Sequence, residues 1–354
     1  MRVSEIKKID YAEKKSHKIS IAKITAAWAF SEAALGGLLH ALHIPFTGLM
    51  VGGAASIFIS LIAYYSEKPE EVMRSTIIVV IIKGIIAPHT PLTAYFSVMG
   101  QGAAGYLIFK IIANHKIASL LTSTITVTFF GFQKLIFLTV LFGNEFWNSI
   151  NIFSNYIIDQ FVSGGYESKI NISLMIILGY GVVHFIGGVI FGIIAGRMPK
   201  NILSLEKSIN TTEIMNMEFE GTSVLPTKRK KKKVLKYSFG IVLIAMMAGS
   251  YFIPDVENQT ITKILIMFLR SVVILFLLFT FIGPYLRKLL NKYTAKKKNE
   301  YADEIEKIID VFPLYKKYAA YSWKKSNDYQ GVLKIKIFFK LLFALLLLEN
   351  KSNG

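Results

Sequence analysis

The chain has 354 residues, is 53% hydrophobic and contains no cysteine, which excludes disulfides, thiolate metal sites and a cysteine nucleophile. Its mean hydropathy of +0.47 and its long unbroken apolar runs exclude an ordinary soluble domain. The net charge of +18 sits between those runs rather than along one stripe, so it points to membrane topology and to anionic lipid headgroups as partners, with no nucleic acid.

A bilayer core takes about 20 apolar residues per spanning helix, and only helices and closed barrels satisfy their backbone there. The runs here do not alternate, so they are read as helices. Residues 1–18 are polar and basic, with no cleavable signal peptide. Apolar runs follow at 21–41, 43–65, 75–88, 92–112, 117–142 and 171–195. Lysines and arginines crowd the N-terminus and every second connection. Examples are Lys68 and Arg74, Lys110 and Lys116, and Arg197 and Lys200. This asymmetry puts the N-terminus and the basic connections in the cytoplasm of a multi-pass protein of the cell membrane.

Two outer connections share a pattern. His43-Ile-Pro45-Phe-Thr47 opens the second helix and His89-Thr-Pro91-Leu-Thr93 the fourth. Small-residue stretches follow each, at Gly52–Ser56 and Gly100–Gly105, and let helices approach closely. The pattern fits a pseudo-repeated pair of mouth elements, or a coincidence of prolines at helix first turns. The third outer connection, 143–170, is a longer loop with Phe146, Trp147 and Tyr156. It either caps a cavity or anchors at the membrane interface by its aromatics.

A polar stretch begins near 198 and ends in the basic run Lys228-Arg-Lys-Lys-Lys-Lys233. This divides the chain into a six-helix domain at 1–197, a basic cytoplasmic linker at 198–234 and a C-terminal part at 235–354. The C-terminal part holds apolar runs at 235–253 and 261–286 and a charged helical stretch at 287–331. A last run at 332–348, interrupted by Lys334, Lys336 and Lys340, reads as an amphipathic helix or a short span. The fold class is an all-α integral membrane protein: a six-helix transmembrane bundle followed by two or three more membrane helices.

Ionisable groups inside a membrane span are costly and are functional candidates by default. The first six helices contain Glu32, Lys83, Gln101, Lys134 and His184. A rise of about 1.5 Å per residue puts the first four roughly 8 to 14 Å below the outer ends of four different helices. Glu32 can pair with one lysine, and an anionic or zwitterionic solute would balance the other. The alternative is a structural ion pair with the second lysine reaching to the headgroups. Gln133 and Gln101 add hydrogen-bonding capacity or tie helices together. His184 reads as a hydrogen-bonded core histidine. The spacing of His40, His43, His89 and His184 fits no zinc pattern. Arg270 faces a partner or a helix C-terminus. With no phosphate-binding loop, no H-E-x-x-H and no G-x-S-x-G, no enzyme and no cofactor is expected.

Residues 15–195 resemble the substrate-binding S component of energy-coupling-factor vitamin transporters. The resemblance rests on Ala22-Lys-Ile-Thr-Ala26 and Ala29-Phe-Ser-Glu-Ala33 in the first helix, on the Ile-Pro that opens the second helix, and on Gln101-Gly-Ala-Ala-Gly105 in the fourth. It implies six helices with the N-terminus inside and a small vitamin-like substrate bound near the outer face. It also implies a transmembrane coupling protein that contacts Ala22, Ala26, Ala29 and Ala33, and separate ATPase subunits. The part after 198 departs from the family. The function expected is solute binding by Glu32, His43, Lys83, His89, Gln101, Gln133 and Lys134, and translocation. A membrane scaffold recruiting lipid or a partner through its basic stretch is the alternative, and an enzyme acting on a lipid-linked substrate a second one.

Overall fold

The computed structural model describes residues 20–35, 46–87, 90–161, 170–206 and 259–347. Among these residues every regular element is helical. Helix α1 spans Ile21–Phe30 and continues through a π-helical turn at Ser31–Leu35. It is followed by α2 (Thr47–Tyr65), α3 (Glu70–Ile86), α4 (Leu92–Ile111) and α5 (His115–Phe142). Then come α6 (Asn144–Phe161), α7 (Ile172–Glu206) and α8 (Gln259–Leu277), the last running through a π-helical turn at Leu278–Ile282 into α9 (Gly283–Glu300). The chain closes with α10 (Ala302–Asp310), α11 (Phe312–Ser326) and α12 (Gly331–Leu347).

Among the described residues, four helical stretches are long and apolar enough to cross a membrane: Thr47–Tyr65, His115–Phe142, Ile172–Ile202 and Phe268–Glu300. That is the make-up of a multi-pass membrane protein. The apolar run at 235–253 and the basic run at 228–233 lie outside the described residues. Helix α7 continues past the composition break at residue 197 to Glu206, with Pro199 inside it. The expected outer loop at 143–170 differs: residues 144–161 form α6. Its apolar residues recur at 146, 150, 153 and 157, a helical period, so the segment gains a one-sided apolar face by coiling.

The chain groups into two compact units, each discontinuous in sequence. In the first, comprising 1–133, 178–217 and 286–354, α1 forms the centre. Every residue from Ile24 to Phe30 is buried. A helix buried on all sides needs small residues to admit its neighbours, and α1 supplies Ala26, Ala27 and Ala29. Its neighbours are α2 and α3 together with α10, α11 and α12 from the far end of the chain. Phe30 meets Phe312 and Tyr315 edge to face, with ring centroids 5.4 and 5.8 Å apart. Phe58 of α2 lies 5.5 Å from Phe343 of α12. Leu342 to Leu347 are all buried, so the end of α12 is a core element packed on α1 and α11. Its first half keeps the lysines at the surface, with Lys334 over the Trp323 ring. Arg74 of α3 bonds Glu304 of α10 at 2.7 Å.

Helices α5 and α7 meet in the same unit through glycines. A β-carbon on Gly188 would lie 2.8 Å from the Cα of Thr124, and one on Gly192 would lie 2.7 Å from the Cα of Leu120. On Gly196 it would lie 3.2 Å from the Cα of Lys116. The four-residue spacing puts all three glycines on one face and brings the two backbones together.

The second unit comprises 134–177 and 218–285. Gly143, at φ +75°, ends α5 and donates its N–H to the carbonyl of Thr139 at 2.8 Å, a left-handed helix stop. Arg270 of α8 lies beside Gly143, so its guanidinium sits at the C-terminus of α5, where a cation complements the helix dipole.

Candidate functional site

The polar groups of α1 stand on one stripe. Thr25, Trp28 and Glu32 are spaced three and four residues apart, a spacing that aligns side chains on one helix face. Helix α3 answers from the other side. The hydroxyls of Thr25 and Ser75 share a hydrogen bond of 2.8 Å. About two turns on, Lys83 Nζ donates to Glu32 Oε2 at 2.7 Å. Glu32 and Lys83 are only 4% and 6% exposed, so the charges are withdrawn from solvent. An ion pair in such surroundings holds because each partner neutralises the other; removal of one leaves an uncompensated charge. Glu32 also lies in the π-helical turn, where the backbone bonding pattern departs from the α-helix, a local feature common at functional sites.

Trp28 belongs to this seam although sequence reasoning passed it over. Its ring is fully buried and its Nε1–H has no hydrogen-bond partner among the described residues. Its spacing from Thr25 and Glu32 was the signal that could have drawn attention to it.

The other expected residues go to different places. Gln101 is buried on α4, with its amide against Gly52 of α2, where a β-carbon would lie 3.0 Å away. Gln133 ties α5 to α4: it accepts from Ser97 Oγ at 2.7 Å and donates to the carbonyl of Thr93 at 3.4 Å. Lys134 is exposed on α5. His43 and His89 lie outside the described residues. Of the small residues in α1, Ala26 and Ala29 are buried, Ala33 is half-buried and Ala22 is exposed. Sequence reasoning thus grouped four side chains at one depth, and among them the structure pairs Glu32 with Lys83.

His184 forms a second polar feature between α5 and α7. Its Nδ1 lies 2.9 Å from the carbonyl oxygen of Tyr180. A carbonyl only accepts, so Nδ1 carries a proton, and in the neutral tautomer Nε2 presents a lone pair. That nitrogen is buried without a partner among the described residues, as are the hydroxyls of Thr124 and Thr128 on α5. The imidazole lies 4.1 Å from the Tyr180 ring and 6.0 Å from that of Phe46, and its edge rests on Gly131. Phe46 adopts a left-handed φ of 60°, unusual for a bulky residue. Among the described residues no group of three histidine, aspartate or glutamate side chains is placed to hold a metal ion.

No protein-family model, curated protein or solved structure matches the chain. The chemistry of the site therefore rests on its residues. A buried carboxylate–ammonium pair can take up or release a proton, or open to exchange one partner for a charged ligand. An ammonium has three N–H donors and a carboxylate about four acceptor positions, so one mutual bond leaves capacity on both.

Proposed function

We propose that the chain is a membrane transport protein of the cell membrane, with its N-terminus in the cytoplasm. In this reading it binds a small vitamin-like solute, anionic or zwitterionic, in a six-helix bundle. It acts as the substrate-specific subunit of an energy-coupling-factor type transporter, alongside a coupling protein and separate ATPase subunits. The observation that carries the reading is the buried Glu32–Lys83 pair between α1 and α3. A charged pair inside apolar helices is more expensive than a well-packed apolar contact, so its presence argues for a task beyond holding two helices together. The resemblance of residues 15–195 to S components supplies the transporter class.

The test uses the full chain, purified with whatever it retains, and identifies bound small molecules by mass spectrometry. Glu32→Gln combined with Lys83→Met removes both charges together and keeps the side-chain volumes, so the fold is preserved. The expected result is a solute held by the wild type and reduced about tenfold or more in the double variant, a loss of at least ~1.4 kcal/mol of binding. A folded double variant that retains the same solute in the same amount overturns the assignment of the site. The mutual satisfaction of the two charges also favours a second reading, a membrane scaffold in which the pair is structural. That reading expects no retained solute from either protein.

A further inference from the structure

We infer that α6 is an interfacial helix whose exposed face sits in the lipid of the outer leaflet, and that it takes neutral or zwitterionic headgroups rather than anionic ones. The inference starts from how α6 is held. Gly143 is the single residue between α5 and α6, and its left-handed conformation turns the chain sharply. Asparagines then fasten α6 to the start of α7. Asn155 donates to the carbonyl of Ile170 and accepts from the N–H of Ile170, both at 3.1 Å, much as a neighbouring strand would. Asn151 accepts from the N–H of Ser173 at 2.7 Å and donates to Asn171 Oδ1 at 3.1 Å. Helix α6 therefore runs from the end of one long apolar helix to the beginning of another. Wherever those two helices end in the membrane, α6 is held at that boundary.

The asparagines define one face, and the opposite face is apolar and uncovered. Ile152, Phe153 and Tyr156 are 64%, 67% and 59% exposed, and Ile157 adjoins them. The end of α5 and the start of α7, between which α6 is held, also expose apolar side chains, at Ile136, Val140 and Met175. On helices of that length and hydropathy such surfaces face acyl chains, and α6 presents a surface of the same kind at their ends. Tyr156 suits the headgroup level, where an amphipathic ring has both environments. The helix carries Glu145 and Asp159 and no lysine, arginine or histidine, so it has no electrostatic attraction to anionic lipid. The basic connections that would bind such lipid belong to the opposite side of the membrane by the positive-inside asymmetry.

The absence of native cysteine makes the test direct. Single cysteines are introduced by Phe153→Cys and, separately, Tyr156→Cys on the apolar face, and by Asn148→Cys at an exposed polar position. Each is labelled with an environment-sensitive nitrobenzoxadiazole probe, in the full chain reconstituted into phosphatidylcholine nanodiscs. All three side chains are exposed, so the substitutions leave the packing intact. The expected result is blue-shifted emission at 153 and 156, quenched about two-fold or more by a headgroup-level nitroxide lipid, with the 148 probe quenched by iodide instead. Adding phosphatidylglycerol should leave the 153 signal unchanged. Equal iodide quenching at 153 and 148 overturns the proposal. So does a 153 probe shielded from both quenchers together with interchain disulfide formation by Phe153→Cys, which would assign the face to a second copy. A 153 signal that rises with phosphatidylglycerol overturns the headgroup preference.

Discussion

Glu32 and Lys83 illustrate how a single atom pair constrains the packing of two largely buried helices. Each is nearly inaccessible, and the 2.7 Å bond between them is what makes either charge tolerable at its position. Glu32→Ala leaves the Lys83 ammonium buried alone, a change expected to cost about 3–5 kcal/mol. Adding Lys83→Met removes the stranded charge and should recover most of that loss. A double-mutant cycle on unfolding in detergent checks this: the two single losses should exceed the double by well over 1 kcal/mol. Additive effects would show that the pair does not interact in solution. The pairing was legible in the sequence as far as charge and depth allow, because an isolated intramembrane carboxylate needs a counter-charge. Which of the two lysines takes it depends on how α1 packs on α3, and periodicity does not encode that. Lys134, with similar depth and chemistry, ends up exposed. Trp28 was overlooked for the opposite reason: an indole in an apolar run reads as packing, and only a structure shows that its N–H goes without a partner among the described residues.

Helices are where the sequence was most and least informative. The runs at 43–65, 117–142 and 171–195 became α2, α5 and α7, the first two with small boundary shifts and the third extended to Glu206, because an apolar run of that length has no other way to satisfy its backbone in lipid. Helix α6 was hidden inside an expected loop, since its hydropathy is moderate and its signal lies in period rather than in mean. The glycines of α7 also read differently in three dimensions. Gly188, Gly192 and Gly196 fall four apart, and each admits the backbone of α5. Gly192→Ala places a β-carbon 2.7 Å from the Cα of Leu120, and backbone cannot move aside as a flexible side chain can. The two helices must separate, at a cost of about 1–3 kcal/mol. Gly179→Ala, where nothing lies within 4 Å of the added carbon, is the matched control. Thermal unfolding in detergent should show a lower midpoint for Gly192→Ala and no loss for Gly179→Ala; equal midpoints would mean that the glycine contact is not tight in solution.

On the scale of the whole chain, the core that begins at α1 is completed by the last 50 or so residues. The sequence marked 287–331 only as a charged helical stretch; the face that it buries at 302–326 is covered by an element some 280 residues earlier. Phe30, Ala26 and Ala29 are buried in a fold that includes α10, α11 and α12, so two of the four small residues on which a separate coupling protein was expected are covered by the chain itself, while Ala22 is exposed and Ala33 half-buried. Tyr315 gives a handle on that docking. It lies against Phe30, and burial first, with the neighbouring Tyr318 second, pushes its phenol up to about 12 from an ordinary value of 10.0. The neutral phenol is the form compatible with the packed state. Below pH 10 the phenol is neutral in folded and unfolded chains alike, and its contribution to stability is complete. Between pH 10 and 12 the unfolded state has lost the proton that the folded state keeps, so the stability contributed by this group falls as pH rises and is gone above its folded value. Tyr315→Phe keeps the ring against Phe30 and removes the titration. Limited proteolysis of α10–α12 across this pH window, in the two proteins side by side, should show protection failing at lower pH in the wild type than in Tyr315→Phe. Identical profiles would mean that the phenol is not held between α11 and α1 as the structure places it.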